Sequence, residues 1–339
     1  MVELSVVVPA YDARAHLSTT LASLRRNAHR DIEFVVVDDA STDGTAEAVE
    51  AAADQVPGLR LVRSPENVGL ASARNLGLDH AAGRYVAFLD ADDWLAPGYL
   101  PALLDVARRH DVDLVRTDHV QVRGLRRVVH RAPVAWRDVV LRPRDHILPA
   151  TTTTMVDYPF AWAGVLDRQR VPDSLLRFDD GLRTAEDRPW VWRLHRGCTS
   201  FLVPSLTGYF YRREVASSLT AVVDERQLDF ARALGTVLDE LRADDEPEAY
   251  VEKAARTACA VVAHHLGRSE AMTPRVRMLL HERSRELLAR VPPPVLGRVL
   301  DALDGPRRER LVGVLQEGPV RRALRSRPMR TRRAAGAAH

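Results

Sequence analysis

Three carboxylates fall within four positions of the stretch RYVAFLDADDWL, residues 84–95: Asp90, Asp92 and Asp93. The residues before them, Tyr85 to Leu89, are apolar and strand-forming, so they read as a buried central strand. A buried strand that ends in several carboxylates is costly unless a positive charge meets it. A hard divalent cation, held by one or two carboxylates together with substrate phosphates, satisfies that demand. A lone D-x-D is equally a solvated acidic turn, and Asp93 equally a cap for the next helical turn. Two further acidic groups stand elsewhere in the chain. Asp38 and Asp39 close the apolar run IEFVVVDD. Glu186 and Asp187 sit in RTAEDRPWVWRLHRG, where Thr184 as a helix cap and the helix dipole account for acidic residues in a first turn.

The elements that would position these groups alternate. LSVVVPAY, Leu4 to Tyr11, reads as a buried parallel-type strand, and residues 13–27 carry leucines at helical spacing. Ile32 to Val37 is a second strand. STDGT follows, with Ser41, Thr42 or Asp43 capping a helix to about Asp54. Leu59 to Ser64 is a third strand, and the loop Asn67 to Gly69 opens a helix carrying Arg74 and Asn75. After the strand ending at Leu89, Pro97 starts a helix to His110, and Val112 to Val120 forms a further strand. This order predicts an α/β fold: a Rossmann-like, open, mostly parallel sheet with helices on both faces. Ligands in such sheets bind beyond the carboxyl ends of the strands, where Tyr11, Asp12, Asp38, Asp39 and Asp90 to Asp93 gather. No G-x-G-x-x-G follows the first strand, where P-A-Y-D stands, and no P-loop occurs. A phosphate bound here needs another counter-charge, which a metal on the aspartates supplies.

Four blocks in fixed order, SVVVPAY, VVDDASTDGT, ENVGLASARNLGLDHAAGRYVAFLDADD and TAEDRPW, resemble the family 2 glycosyltransferases with a GT-A fold, over roughly Val2 to Thr220. The resemblance implies an inverting, metal-dependent transfer from a nucleoside-diphosphate sugar, with UDP the favoured carrier, to a hydroxyl of a polymer, glycolipid or glycan acceptor. It implies that Pro9, Ala10 and Tyr11 border the nucleobase, with the Tyr11 ring packed against it. Asp39, in preference to Asp38, accepts from the base, and Arg74 reaches the nucleotide. Asp90 meets the ribose or a metal-bound water, and Asp92 coordinates Mg2+ or Mn2+ with the diphosphate. Asp187 is implied as the general base and Glu186 as a group orienting acceptor or sugar. Trp162 lines the sugar pocket or belongs to the core. The late segment YFYRREVASSLT, Tyr209 to Thr220, resembles a lid in which Arg212 or Arg213, with Ser217 or Ser218, closes over the diphosphate; it also fits an edge strand and turn. A nucleotidyltransferase on a related sheet would carry a glycine-rich basic loop after the first strand. A non-catalytic nucleotide-sugar-binding protein would tolerate loss of Asp187.

Composition sets the outer limits. The 339 residues are 46% hydrophobic, enough for a sizeable core, with a net charge of +3 and Lys253 as the sole lysine. No apolar run is long enough to span a bilayer, and the first residues read as a strand rather than a signal peptide. Cys198 and Cys259 are far apart without metal-ligand spacing, and read as reduced thiols of a cytoplasmic protein. The expected organisation is a catalytic domain over 1–222, split into a nucleotide-sugar half (1–120) and an acceptor half (121–222). A helical subdomain over 223–320 and a basic tail over 321–339 follow. Leu228, Ala231, Leu234 and Leu238 mark the first C-terminal helix face, and His264-His265 reads as structural. The tail reads as disordered and suits either a merely solvated segment or an anionic membrane surface, the latter placing a cytoplasmic protein peripherally at the inner face of the cell membrane. No nucleic-acid recognition motif is present.

Overall fold

The computed structural model describes residues 1–213 and 224–316. Ser217, Ser218, the rest of the presumed lid after Arg213, and the basic tail lie outside the described residues.

The chain begins β1 (Leu4–Ala10), α1 (Arg14–Arg25), β2 (Ile32–Asp38), α2 (Thr45–Ala52), β3 (Leu59–Arg63), α3 (Leu70–His80) and β4 (Tyr85–Phe88). It continues with a short β5 (Trp94–Leu95), α4 (Tyr99–His110), β6 (Leu114–Arg116), β7 (Asp118–Arg123), β8 (Arg126–His130), β9 (Gly164–Asp167), α5 (Asp173–Leu176) and α6 (Asp187–Gly197). Then come β10 (Phe201–Leu202), β11 (Thr207–Arg212) and five helices: α7 (Asp229–Ala243), α8 (Glu248–Gly267), α9 (Pro274–Ala289), α10 (Pro293–Asp301) and α11 (Gly305–Gln316).

Seven strands form the main sheet in the order β10-β6-β9-β4-β1-β2-β3. Only β9 runs antiparallel to its neighbours. β1 and β2 are buried along their whole length, as their unbroken valine runs demand. Their register pairs Val7 with Val35 and Ala10 with Asp38. Val35 and Val37 face Ala73 of α3 on one side of the sheet. Phe34 and Val36 join Leu17, Leu24 and Val49 on the other. Helices therefore cover both faces, and each such buried side chain contributes about 1.5–3 kcal/mol. Gly77 allows α3 to lie close on β1: a Cβ there would stand 2.2 Å from Val7 Cγ1. That close approach brings Arg74, one turn earlier, to the end of the sheet.

Val112 to Val120 is not one strand. The chain breaks at Thr117, leaving β6 in the main sheet and carrying β7 into a second sheet of order β5-β11-β7-β8. The crossing is held by tertiary bonds: Thr117 N donates to Ala163 O (3.1 Å), and Thr117 O accepts from Tyr158 Oη (3.0 Å). Gly164 makes the crossing possible, because a Cβ on it would lie 1.9 Å from Val115 O. Helix capping also departs from expectation. α2 has Gly44 at its cap, and Asp43 accepts from Thr45 N (3.0 Å). α6 starts only at Asp187, after Ala185 in the left-handed region (φ 60°), and Thr184 instead donates to Arg226 O (2.6 Å).

The five C-terminal helices enclose a second hydrophobic core around Leu234, Leu238, Cys259 and Leu280. Ile147, Val156 and Trp192 of the preceding region belong to that core and seat the helices on it. Buried Lys253 of α8 donates to Thr152 O (2.6 Å) and pairs with Asp157, a second tie. Both cysteines are unpaired and buried. Among the described residues no helix is long and apolar enough to cross a membrane.

Candidate active site

The carboxyl ends of β4, β1 and β2 lie side by side, and a cleft of about 1040 Å³ opens beyond them. Pro9, Ala10, Tyr11, Asp39, Arg74, Asp90, Asp92, Glu186 and Asp187 all line it. Residues separated by up to 178 positions thus share one cavity. A smaller cavity of about 460 Å³ on the helical unit, beside His264 and Arg310, includes none of them.

Tyr11 stands at the mouth with its side chain exposed. Asp39 is buried, and both its oxygens accept from a loop: Oδ1 from Val68 N (2.7 Å) and Oδ2 from Gly69 N (2.9 Å). Its own N–H donates to Ala10 O (2.8 Å). Asp39 therefore fixes the turn into α3, with its remaining lone pairs left for a ligand. Asp38 is also buried, but it does not line the cleft.

Arg74 is buried and bridges two acidic groups. Nη1 donates to Glu186 Oε1 (2.5 Å) and Nη2 to Asp90 Oδ1 (2.9 Å), while the guanidinium lies 5.2 Å from the Phe178 ring centre. Asn75, the next residue, exchanges two hydrogen bonds of 2.9 Å with the backbone of Phe178, pinning α3 to the segment before α6. Arg74 and Glu186 thus face each other, and both line the cleft.

The D-x-D turn is held from below. Thr20 Oγ1 lies 2.8 Å from Ala91 O and 2.7 Å from Asp93 O. Asp93 is fully buried and accepts from Tyr209 Oη (2.7 Å) and Arg212 N (2.6 Å). It ties β11 to the turn instead of capping a helix. Burial, reinforced by Asp92 and Asp90, holds its carboxyl well above the usual range. Tyr209 also accepts from Asp90 N (3.2 Å) and stacks on Trp162 at 4.1 Å, so Trp162 is both core and cleft floor.

Asp92 differs from its neighbours. No side chain among the described residues hydrogen-bonds to its carboxylate; burial followed by the nearby Asp90 pushes it up to about 6, against the opposing pull of its own backbone N–H and of Arg212. A partly desolvated carboxylate beside a second one, both open to the cleft, is a hard-oxygen donor pair. These residues fit Mg2+ or Mn2+, with further ligands from a substrate diphosphate and water. Among the described residues no group of three His, Cys, Asp or Glu side chains is arranged to hold a metal unaided. Arg212 does not line the cleft. Its Nε donates to Asp92 O (2.8 Å) and its guanidinium sits 4.7 Å from the Trp94 ring centre. Arg213 does line it, beside Tyr211.

Asp187 begins α6 on the opposite wall. Burial raises its carboxyl to about 7, with Glu186 and Asp90 adding to the rise and Arg188 and Arg74 opposing it. Several residues of the site left no local signal in the sequence. Thr20 and Tyr209 do not line the cleft but hold its D-x-D turn through backbone and buried contacts. Arg183, Arg188 and, from the helical unit, Phe230 and His265 reach the cleft only through tertiary packing.

The sheet, its polar end and the covering helices define a GT-A-type fold. Residues 5–163 match the family described as glycosyl transferase family 2. The uncharacterized glycosyltransferase EpsJ of Bacillus subtilis (strain 168) is 27% identical over 227 residues, covering 66% of this chain and 65% of EpsJ. The putative teichuronic acid biosynthesis glycosyltransferase TuaG of the same organism is 43% identical over 89 residues, 26% of this chain and 35% of TuaG. The chain thus spans less than two thirds of the length of these curated relatives. Among solved structures, residues 1–349 of S. aureus TarS in complex with UDP-GlcNAc superpose with a TM-score of 0.70 at 19% identity, over 93% of this chain and 91% of that one. That likeness is one of fold.

Proposed function

We propose that this protein is an inverting glycosyltransferase that moves a sugar from a nucleoside-diphosphate sugar, a UDP-sugar, to a hydroxyl of a cell-surface polymer, glycolipid or related glycan. The observation that carries the reading is the single cleft lined by Tyr11, Asp39, Asp90, Asp92 and Asp187. Residues 1–222 act as the catalytic unit, and the helices between Asp229 and Gln316 complete one wall of the cleft through Phe230, Val261 and His265. The description of TuaG as a putative teichuronic acid biosynthesis glycosyltransferase supports a polymer acceptor, and the UDP-GlcNAc held by TarS supports the donor class.

In this reading Tyr11 packs on the base at the mouth, and Asp39 offers its free lone pairs to the base. Asp90 and Asp92 would hold Mg2+ or Mn2+, which when bound offsets charge on the departing diphosphate. Asp187 accepts the proton of the acceptor hydroxyl as that oxygen bonds to the anomeric carbon. A carboxyl raised to about 7 suits the task, since it is a stronger base than an exposed aspartate and is still substantially ionised near neutrality. Attack from the Asp187 side, opposite the diphosphate, inverts the anomeric centre. Glu186, paired with Arg74, fixes the start of α6 and hence where Asp187 stands.

A panel of nucleoside-diphosphate sugars, each supplied with Mn2+, tests the proposal by release of nucleoside diphosphate through slow hydrolysis. Turnover of one UDP-sugar is expected. Binding of donors with no turnover in the presence of extended acceptor mixtures would favour a non-catalytic nucleotide-sugar-binding protein.

A further inference from the structure

We propose that the β7–β8 hairpin and the segment running on to Val140 form a docking surface for an anionic lipid bilayer. Three observations converge on this stretch. First, large apolar side chains are exposed there in unusual density. Of the ten exposed large hydrophobic residues among those described, six lie between 125 and 140: Leu125, Val128, Val129, Trp136, Val139 and Val140. Leu125, at the hairpin turn, is fully exposed, and Trp136 is 65% exposed. The exposure runs along the hairpin and past it: Leu125 stands at the turn end of β7–β8, and Trp136 to Val140 follow its other end, where Asp138 N donates to Val203 O (3.0 Å).

Second, the charge is predominantly positive. Residues 119–140 contain five arginines and one carboxylate, Asp138, which accepts from Ser205. Arg137 pairs with Asp118. Arg123, Arg126, Arg127 and Arg131 are exposed, and none makes an ion pair with a described residue. Arg127 lies over the Phe210 ring at 5.6 Å. Arg84, Arg108, Arg170 and Arg177, by contrast, are matched with carboxylates. Third, β8 is an edge strand with every residue exposed, so its outer side is uncovered.

The combination selects the occupant. Arginines beside exposed Trp, Leu and Val suit an interface where cations meet lipid phosphates and apolar side chains enter the acyl boundary. A second copy pairing edge to edge would bring two sets of uncompensated arginines together. A nucleic acid would meet the arginines but offers no apolar interior for six exposed hydrophobic side chains. The surface is also near the site. β8 pairs with β7, and β7 with β11, whose Tyr211 lines the cleft, so the edge stands two strand spacings away, on the order of 10 Å. A bilayer held there would lie beside the cleft. The inference rests on exposure and charge, and does not depend on the transferase reading.

The test is sedimentation of the full chain with vesicles of phosphatidylcholine alone and of phosphatidylcholine mixed with phosphatidylglycerol. The basic tail is kept in every variant, so hairpin and tail effects stay separate. The parent is expected to sediment with the anionic vesicles and not with the neutral ones. Arg126→Glu/Arg127→Glu/Arg131→Glu should weaken binding on the order of a hundredfold. Leu125→Ser/Trp136→Ser should weaken it on the order of tenfold. All five positions are exposed, so thermal midpoints should match the parent. Trp136 is the one exposed tryptophan of the five, so its emission should shift to the blue as anionic vesicles are added. Vesicle binding that survives both sets of substitutions overturns the proposal. So does a parent chain that ignores anionic vesicles, or that takes single-stranded RNA in preference to them.

Discussion

Arg74 and Glu186 are 112 positions apart in sequence and 2.5 Å apart in space. With Asp90 on its second nitrogen, Arg74 joins the end of a central strand to the first turn of α6. The two walls of the cleft are thereby set at a fixed separation by one buried cation. Removing it leaves two desolvated carboxylates facing each other, and such losses cost about 3–5 kcal/mol. Arg74→Ala is expected to lower unfolding stability by that order in urea titrations. Arg74→Lys should recover part of the loss, since one ammonium cannot reproduce the two-pronged geometry. An alanine variant as stable as the parent would show that the bridge does not hold the site together.

Asp187→Asn keeps the shape of the side chain and removes its basicity. Transfer should fall by about 10²–10⁴, the usual contribution of a positioned base. Donor affinity, measured by calorimetry on the same preparation, should be unchanged. A parallel loss of donor binding would assign Asp187 to the nucleotide instead.

The pH dependence follows from the same carboxyl. Asp187 faces Glu186 and Asp90, which raise it, and Arg74 and Arg188, which oppose them; buried Arg116 of β6 also feels its charge. With the group raised to about 7, the active form is the deprotonated one. The rate at saturating donor should therefore fall about tenfold per unit below pH 7 and level off above it. An acid limb near 4 would mean that the bound substrates restore an ordinary carboxylate.

Tyr209→Phe deletes a hydroxyl that donates to buried Asp93 and accepts from Asp90 N, while keeping the ring stacked on Trp162. Leaving Asp93 short of a donor should cost about 1–3 kcal/mol. Because the same hydroxyl steadies the D-x-D turn, affinity for UDP in the presence of Mn2+ should drop as well. Unfolding midpoints and UDP titrations check the two effects separately.

Chelation gives a further check. Asp92 lacks a side-chain partner among the described residues, so donor affinity should collapse in EDTA and return with Mn2+ or Mg2+. Asp92→Asn should abolish that return. A donor that binds equally well in EDTA would leave Asp92 without the role proposed for it.

Much of this architecture is written locally in the chain. Unbroken valine runs can only be strands buried on both faces, and leucines at helical spacing can only be helices packed on them. The alternation of the two dictates a parallel sheet with its polar end at Tyr11, Asp39 and Asp90. What the sequence could not supply was the partner of each buried polar group. Burial requires that Arg74, Asp93 and Thr184 be paired, but leaves open with what, since the answers, Glu186 with Asp90, Tyr209 and Arg226 O, lie up to 116 positions away or on another element. The break at Thr117 is of the same kind: Leu114 to Val120 reads as continuous strand, and only competition between two sheets for its backbone bonds divides it. Periodicity and turn chemistry record what a residue does to its neighbours in sequence. The closing of a cleft by carboxylates from opposite walls is decided by which surfaces bury each other, and that exists only in the folded chain.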